Sequence, residues 1–194
     1  MTGLFGGAFD PPHYGHVALA EMALTQFGLD GLVILPTGDP PHKRARAPAE
    51  IRCRLAGAAF AGHPEICLSR HELDRAGPSY TVDTAEWAAG KYGDAIFLVG
   101  ADEFADFLSW RDPQRILELV RLGVATRPGY ERARLDDVLG QLERPQRVEL
   151  FEIEPLPVSS SDIRARVGRG EPIDGLVPPA VAALITSLGL YRAE

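Results

Sequence analysis

Gly3-Leu4-Phe5-Gly6-Gly7-Ala8-Phe9-Asp10-Pro11-Pro12-His13-Tyr14-Gly15-His16 decides how the rest of the sequence is read. A short apolar strand runs into two glycines, and two histidines follow three residues apart. A helical pattern then starts, with apolar residues at Val17, Ala20, Leu24 and Phe27. Glycine at a strand end lets the backbone approach a phosphate with no Cβ in the way. A helix N-terminus offers the same anion unpaired N–H groups and a partial positive charge. Two imidazoles at i and i+3 of the helix entrance can both face it. The string reads as a triphosphate cradle, although it has neither the Lys-Ser/Thr of a P-loop nor a G-x-G-x-x-G fingerprint. For either histidine taken singly, a surface position beside a tight turn is the competing reading.

Outward from this stretch, apolar runs of strand length alternate with helical patterns. Strands are expected at 3–6, 31–36, 65–69, 95–100, 122–126 and 147–151. Helices are expected at 15–27, 49–61, 81–91, 103–108, 113–120, 134–143, 160–168 and 178–188. The runs 32–35 and 96–99 are continuously apolar, as strands buried on both faces are, whereas 51/55/58 and 135/138/139/142 have helical spacing. Such alternation predicts an α/β fold: a doubly wound, Rossmann-like parallel sheet with helices on both faces and C-terminal helices packed on it. Ligands of such sheets bind beyond the carboxyl ends of the strands, at the switch point of strand order. The unusual residues after Gly7, after Pro36 and at Gly100 all follow predicted strands, as one cleft at that edge requires.

With 194 residues, 45% hydrophobic and 24% charged, the chain is expected to fold as a single domain spanning 1–194. Residues 1–16 lack a cationic segment followed by an apolar run, and no apolar stretch reaches the roughly 18–20 residues that span a bilayer. Cys53 and Cys67 have no metal-ligand spacing and read as reduced. The expected setting is cytoplasmic, with no membrane. A net charge of −7 argues against nucleic-acid binding but leaves a nucleotide ligand open, because local cations and helix termini override the global sign. Homo-oligomer formation is left open.

Five further segments bear on the chemistry. Pro36-Thr37-Gly38-Asp39-Pro40-Pro41-His42-Lys43 is a proline-stiffened loop that delivers Lys43, one of only two lysines, to a fixed place. Ser79-Tyr80-Thr81-Val82-Asp83-Thr84 reads as a helix-capping segment. Gly100-Ala101-Asp102 closes an apolar strand, where a carboxylate suits paired ribose hydroxyls, and Trp110 follows as either a core or a stacking residue. Val158-Ser159-Ser160-Ser161-Asp162-Ile163-Arg164 starts a helix with hydroxyls and places an Arg one turn in, a second anion site of N–H groups and a bidentate cation. Arg127-Pro128-Gly129 follows the fifth strand and reads equally as a loop cap. Asp10 is a residue that can orient the first loop and is not expected to bind metal.

Taken together, these motifs resemble the nucleotidylyltransferase superfamily with its H-x-G-H signature, and within it the nicotinate-nucleotide adenylyltransferases. The likeness covers about residues 3 to 168, with P-P-H-K, S-Y-T-x-D-T and the tryptophan pointing to that branch. Val158 and Ser161 replace the usual Ile and Thr of I-S-S-T-x-I/V-R, and Ala8 stands where Thr or Ser is frequent. The resemblance implies adenylyl transfer from ATP to nicotinate mononucleotide by in-line attack on the α-phosphorus, yielding deamido-NAD and pyrophosphate. It assigns catalysis to His16, His13, Lys43 and Arg164. It implies ATP contacts from Gly6, Gly7, Phe9, His13, His16, Gly100, Asp102, Ser159, Ser160 and Arg164. Lys43, Thr81, Trp110 and Arg127 are implied on the nicotinate-nucleotide side. Mg²⁺ is expected with ATP, held mainly by phosphates, and no protein metal site is expected. Three alternatives stay open: an enzyme accepting nicotinamide mononucleotide, an adenylyltransferase acting on phosphopantetheine, and a module that binds nucleotide without turnover.

Overall fold

The computed structural model describes residues 1–40 and 45–192. Its described residues form one six-stranded sheet of β1 (Thr2–Gly7), β2 (Gly31–Pro36), β3 (Ile66–Leu68), β4 (Ala95–Gly100), β5 (Arg121–Thr126) and β6 (Val148–Glu152). Every pairing is parallel, in the order β3-β2-β1-β4-β5-β6. Strand order reverses between β1 and β4, where Leu4 pairs with Val33 on one side and Phe97 on the other. Beyond the carboxyl ends of those two strands lies the crevice that such sheets use for ligands.

Side-chain alternation sorts the core into two layers. Leu4, Val33, Phe97, Val99, Leu122 and Val124 face one side. There they meet α3 (Thr81–Tyr92), α4 (Ala101–Ala105), α5 (Pro113–Leu119) and α6 (Arg132–Leu139). Phe5, Leu32, Ile34, Ile96, Leu98 and Ala125 face the other. They pack against α1 (Tyr14–Gln26), α2 (Ala49–Phe60), α7 (Ser160–Gly168) and α8 (Pro179–Ser187). Both faces are dry, which is why the central strands are apolar without a break; each buried Leu or Ile contributes roughly 1.5–3 kcal/mol. Glycine at 6 is steric: a Cβ there would lie 2.8 Å from the Phe97 ring.

Sequence and structure agree to within a residue or two at most element ends, and differ in two helices. Instead of a helix over 103–108, α4 starts at Ala101 with Gly100 as its N-cap and ends at Ala105, and a 3-10 turn follows at Phe107–Ser109. The tighter turn sets Phe107 beside Phe104, both fully buried, with ring centroids 5.7 Å apart. The helix expected over 134–143 runs from Arg132 to Leu139 and closes at Gly140. No helix among the described residues is long and apolar enough to cross a membrane.

Candidate functional site

β1 ends in two glycines, and the chain then turns through Phe9 at φ +49° to reach α1. Phe9 holds this sparsely populated conformation because its ring is locked in the core, 1% exposed and edge-on to Phe5, Phe60 and His16. His13 is the N-cap of α1 and His16 its third residue. The backbone N–H of His13 donates to Nδ1 of His16 at 3.2 Å. That acceptance places the neutral His16 proton on Nε2, facing away from the cap. The two rings lie 3.8 Å apart between centroids. Gly15 makes room for this pair, because a Cβ there would sit 3.0 Å from Cε1 and Nδ1 of His13.

Burial lowers the His13 pKa to about 4. His16 is pushed well below the ordinary histidine value, first by burial and then by the like charge of His13. Both are neutral near pH 7 and act there as N–H donors. Nδ1 of His13 is buried with no hydrogen-bond partner among the described residues. A buried imidazole nitrogen without a protein partner is open to a bond from water or from a ligand.

α7 supplies the opposing wall. Ser159 caps it by accepting from the Asp162 N–H at 3.1 Å, and Ser160 donates to the Pro11 carbonyl at 2.8 Å. Arg164 donates to the Asp10 carbonyl at 2.7 Å, while its Nε is buried without a partner among the described residues. The two helix entrances, with N-caps at His13 and Ser159, are thereby tied to one loop. Ser160 and Arg164 are held against the loop that leads into His13 and His16, and Gly6, Gly7 and Phe9 lie at the end of β1 and in the turn that follows it.

Arg52 and Glu72 escaped the sequence reading, Ser79 is read there only as part of a helix-capping segment, and Asp10, expected to orient the first loop, is bonded through its carboxylate to the segment before α2. Asp10, 4% exposed, accepts from the N–H groups of Arg46 and Ala47 at 2.7 and 3.2 Å, so its carboxylate holds the loop after Lys43. Arg52, on α2 and 1% exposed, donates to the carbonyls of Ala47, Ala8 and Gly38 at 3.1, 2.8 and 3.0 Å. It ties together the loops after β1 and β2; burial lowers its pKa, chiefly offset by Asp10. Ser79 accepts from the N–H groups of Gly38 and Asp39 at 3.1 and 3.3 Å. Glu72 is buried and accepts from Thr84 at 2.8 Å. Burial raises its pKa against the opposing hydrogen bonds of Thr84 and Ser79. Gly38 packs so tightly on the Glu72 backbone that no Cβ fits.

A second group gathers at the end of β4. Tyr80 is the N-cap of α3 and Thr81 its first residue, so the Thr81 N–H lies in the unpaired first turn. Trp110 packs edge-on to Phe107 at 5.4 Å while remaining partly exposed, and the Arg111 guanidinium lies 4.8 Å over the Tyr80 ring. Asp102 is exposed in the first turn of α4 and accepts from the Tyr130 hydroxyl at 3.1 Å. Arg127 is exposed after β5, in the loop that carries Tyr130. Lys43 lies outside the described residues.

The donors of the cradle are imidazole N–H, hydroxyl, guanidinium and helix N–H groups, a set suited to polyphosphate. Ser160 is bonded to the Pro11 carbonyl and Ser159 to the Asp162 N–H and the Ser161 hydroxyl, and among the described residues no histidine or carboxylate side chain is hydrogen-bonded to either. The carboxylate of Asp10, in the loop before α1, is already satisfied by Arg46, Ala47 and, at 2.7 Å, the Tyr191 hydroxyl. Among the described residues no group of three His, Cys, Asp or Glu side chains is arranged to hold a metal ion.

The family model described as cytidylyltransferase-like matches residues 4–166. A protein of Rubrobacter xylanophilus named "probable nicotinate-nucleotide adenylyltransferase" is 42% identical over 100% of this chain and 92% of its own length. One of the same name from Moorella thermoacetica is 42% identical over 98% and 91%. Another from Streptomyces coelicolor is 40% identical over 97% and 100%. Among solved structures, Plasmodium falciparum nicotinic acid mononucleotide adenylyltransferase complexed with NaAD superposes with a TM-score of 0.78. That match covers 98% of this chain and 96% of the other at 16% identity, and it bears on the fold.

Proposed function

The chain belongs to the cytidylyltransferase-like family, and on that premise we propose that it transfers the adenylyl group of ATP to nicotinate mononucleotide, in NAD biosynthesis. Carrying this reading is the convergence of His13, His16 and Arg164, two of them with an unsatisfied buried nitrogen, between two helix N-termini at the switch point. The full-length likeness to proteins named for this activity selects the acceptor. The chain works as one domain over 1–194, in the cytoplasm.

A phosphate oxygen of nicotinate mononucleotide attacks the α-phosphorus in line. The new P–O bond forms as the bond to the β-phosphate oxygen breaks, and pyrophosphate departs with that electron pair. The side chains do not enter covalently; they align the reactants and stabilise charge developing on the phosphoryl oxygens. His16 donates from Nε2 to the α-phosphoryl oxygens, and His13 and the N–H groups of α1 hold the adjacent phosphates. The entrance of α7, with Ser159, Ser160 and Arg164, binds the β and γ groups, and Lys43 accompanies the departing pyrophosphate. Gly6, Gly7 and Phe9 let the nucleotide lie against the end of β1; Gly100 and Asp102 face the adenosine. Thr81 holds the nicotinate carboxylate through its amide, Trp110 stacks on the ring, and Arg127 lies at the edge of the cleft. Mg²⁺ enters as part of the substrate, Mg-ATP, and neutralises phosphate charge there.

With ATP labelled in its α-phosphate, the label is expected in deamido-NAD and none on the protein. An adenylylated protein intermediate would overturn direct transfer.

A further inference from the structure

Tyr191 follows α8 and lies 181 residues from Asp10, yet its hydroxyl donates to Asp10 Oδ1 at 2.7 Å. Asp10 is the node at which the ATP side of the cradle is assembled. Its carboxylate holds the N–H groups of Arg46 and Ala47, and its carbonyl accepts from Arg164. Remove the phenol, and among the described residues Oδ1 keeps only the longer 3.2 Å bond to Ala47.

The chain adopts an unfavourable backbone conformation to place this hydroxyl. Gly189 turns at φ +61°, and Tyr191 itself sits at φ +62°, a region that bulky residues rarely occupy. Such a conformation persists where surrounding contacts over-determine it. Here the ring packs into the layer formed by α1, α2, α7 and α8, and the hydroxyl reaches through to Asp10. Burial, with the bond to Asp10 next in size, raises the phenol pKa well above the ordinary tyrosine value, so it remains a donor at any working pH.

We propose that Tyr191 is a positioning residue for the ATP side of the site, fixing the Asp10 carboxylate and, through Asp10, the backbone of 46–47 and the guanidinium of Arg164. This role rests on the functional reading above insofar as Arg164 and the segment after Lys43 serve the triphosphate. Tyr191 does not touch substrate. A residue that merely packs would be replaceable by Phe; a positioning residue would not.

The test compares wild type, Tyr191→Phe, Asp10→Asn and the double variant by calorimetric Kd for Mg-ATP, amide hydrogen exchange over 45–48, and steady-state kinetics. Tyr191→Phe is expected to melt within a few degrees of wild type, to bind Mg-ATP about tenfold more weakly, and to exchange the Arg46 and Ala47 amides faster. Its KM for nicotinate mononucleotide should stay within about twofold. On the Asp10→Asn background, Tyr191→Phe should change the Kd by less than about twofold. Unchanged Mg-ATP affinity and unchanged exchange in folded Tyr191→Phe would overturn the proposal. So would additive effects in the double variant, which also decide the matter if the single variant melts low. Absence of wild-type turnover would instead sink the functional reading, and the ATP-binding and exchange arms would still judge Tyr191.

Discussion

Neutral histidines at the entrance of α1 leave a signature in pH. The unfolded chain titrates His13 near 6.5, whereas burial holds it at about 4 in the fold, and His16 is also lowered. Between those values the unfolded state binds more protons, so the stability tied to these groups is complete above about pH 6.5 and is lost as pH falls toward 4. The His13 shift alone corresponds to roughly 3 kcal/mol, an upper figure for a group that is not fully buried. His13→Gln should flatten the fall in melting temperature between pH 7 and pH 5; an unchanged slope would remove His13 as its source. A bound polyphosphate reverses the shift, because a nearby anion favours imidazolium. Mg-ATP binding at pH 6 should therefore take up protons, seen by calorimetry in buffers of different ionisation enthalpy. His16→Ala should lower kcat by about 10²–10³ while the variant still folds, as loss of one preorganised donor does elsewhere. Near-wild-type turnover would refute its role.

At the scale of elements, Arg52 joins Ala8 after β1 to Gly38 and Ala47 after β2. Arg52 satisfies three carbonyls from inside the molecule, so Arg52→Met leaves them bare. A loss of about 3 kcal/mol is expected, hence a drop in melting temperature of roughly 6–12 °C. A variant melting like wild type would show that water replaces the guanidinium. Gly15→Ala should instead spare stability and lower kcat, because its Cβ pushes the His13 ring rather than the core. The element pattern was legible because continuous apolar runs such as 96–99 admit only a doubly buried strand. The starts of α1 and α7, proposed to hold phosphate, were legible as helix starts because glycines, histidines and serines cluster there in sequence. Arg52, Glu72 and Tyr191 were not. A lone Arg on an amphipathic helix or a lone Tyr near a helix end looks like a solvated residue until its distant carbonyl or carboxylate partners are known. The tight turn at Phe107–Ser109 was also hidden, since Phe104 and Phe107 fit either helical spacing.

Across the whole molecule, strand order does the assembling. The reversal between β1 and β4 sets the segments that follow those two strands side by side, and the bonds of Ser160 to Pro11 and of Arg164 to Asp10 bring the start of α7 to the first of them. The protein supplies cationic and N–H donors there and no three-ligand metal cluster among its described residues. EDTA should accordingly stop turnover while leaving the melting temperature of the ligand-free protein unchanged; a lower melting temperature would reveal a resident structural ion. Trp110→Ala should raise KM for the mononucleotide about fivefold, from the loss of roughly 1 kcal/mol of stacking, with KM for ATP little changed. An unchanged mononucleotide KM would take Trp110 out of the site. The most direct test is pyrophosphate release from Mg-ATP with nicotinate mononucleotide, nicotinamide mononucleotide and phosphopantetheine offered side by side. Strong preference for nicotinate mononucleotide is expected. Turnover with another acceptor, or with none of the three, would contradict the proposed reaction.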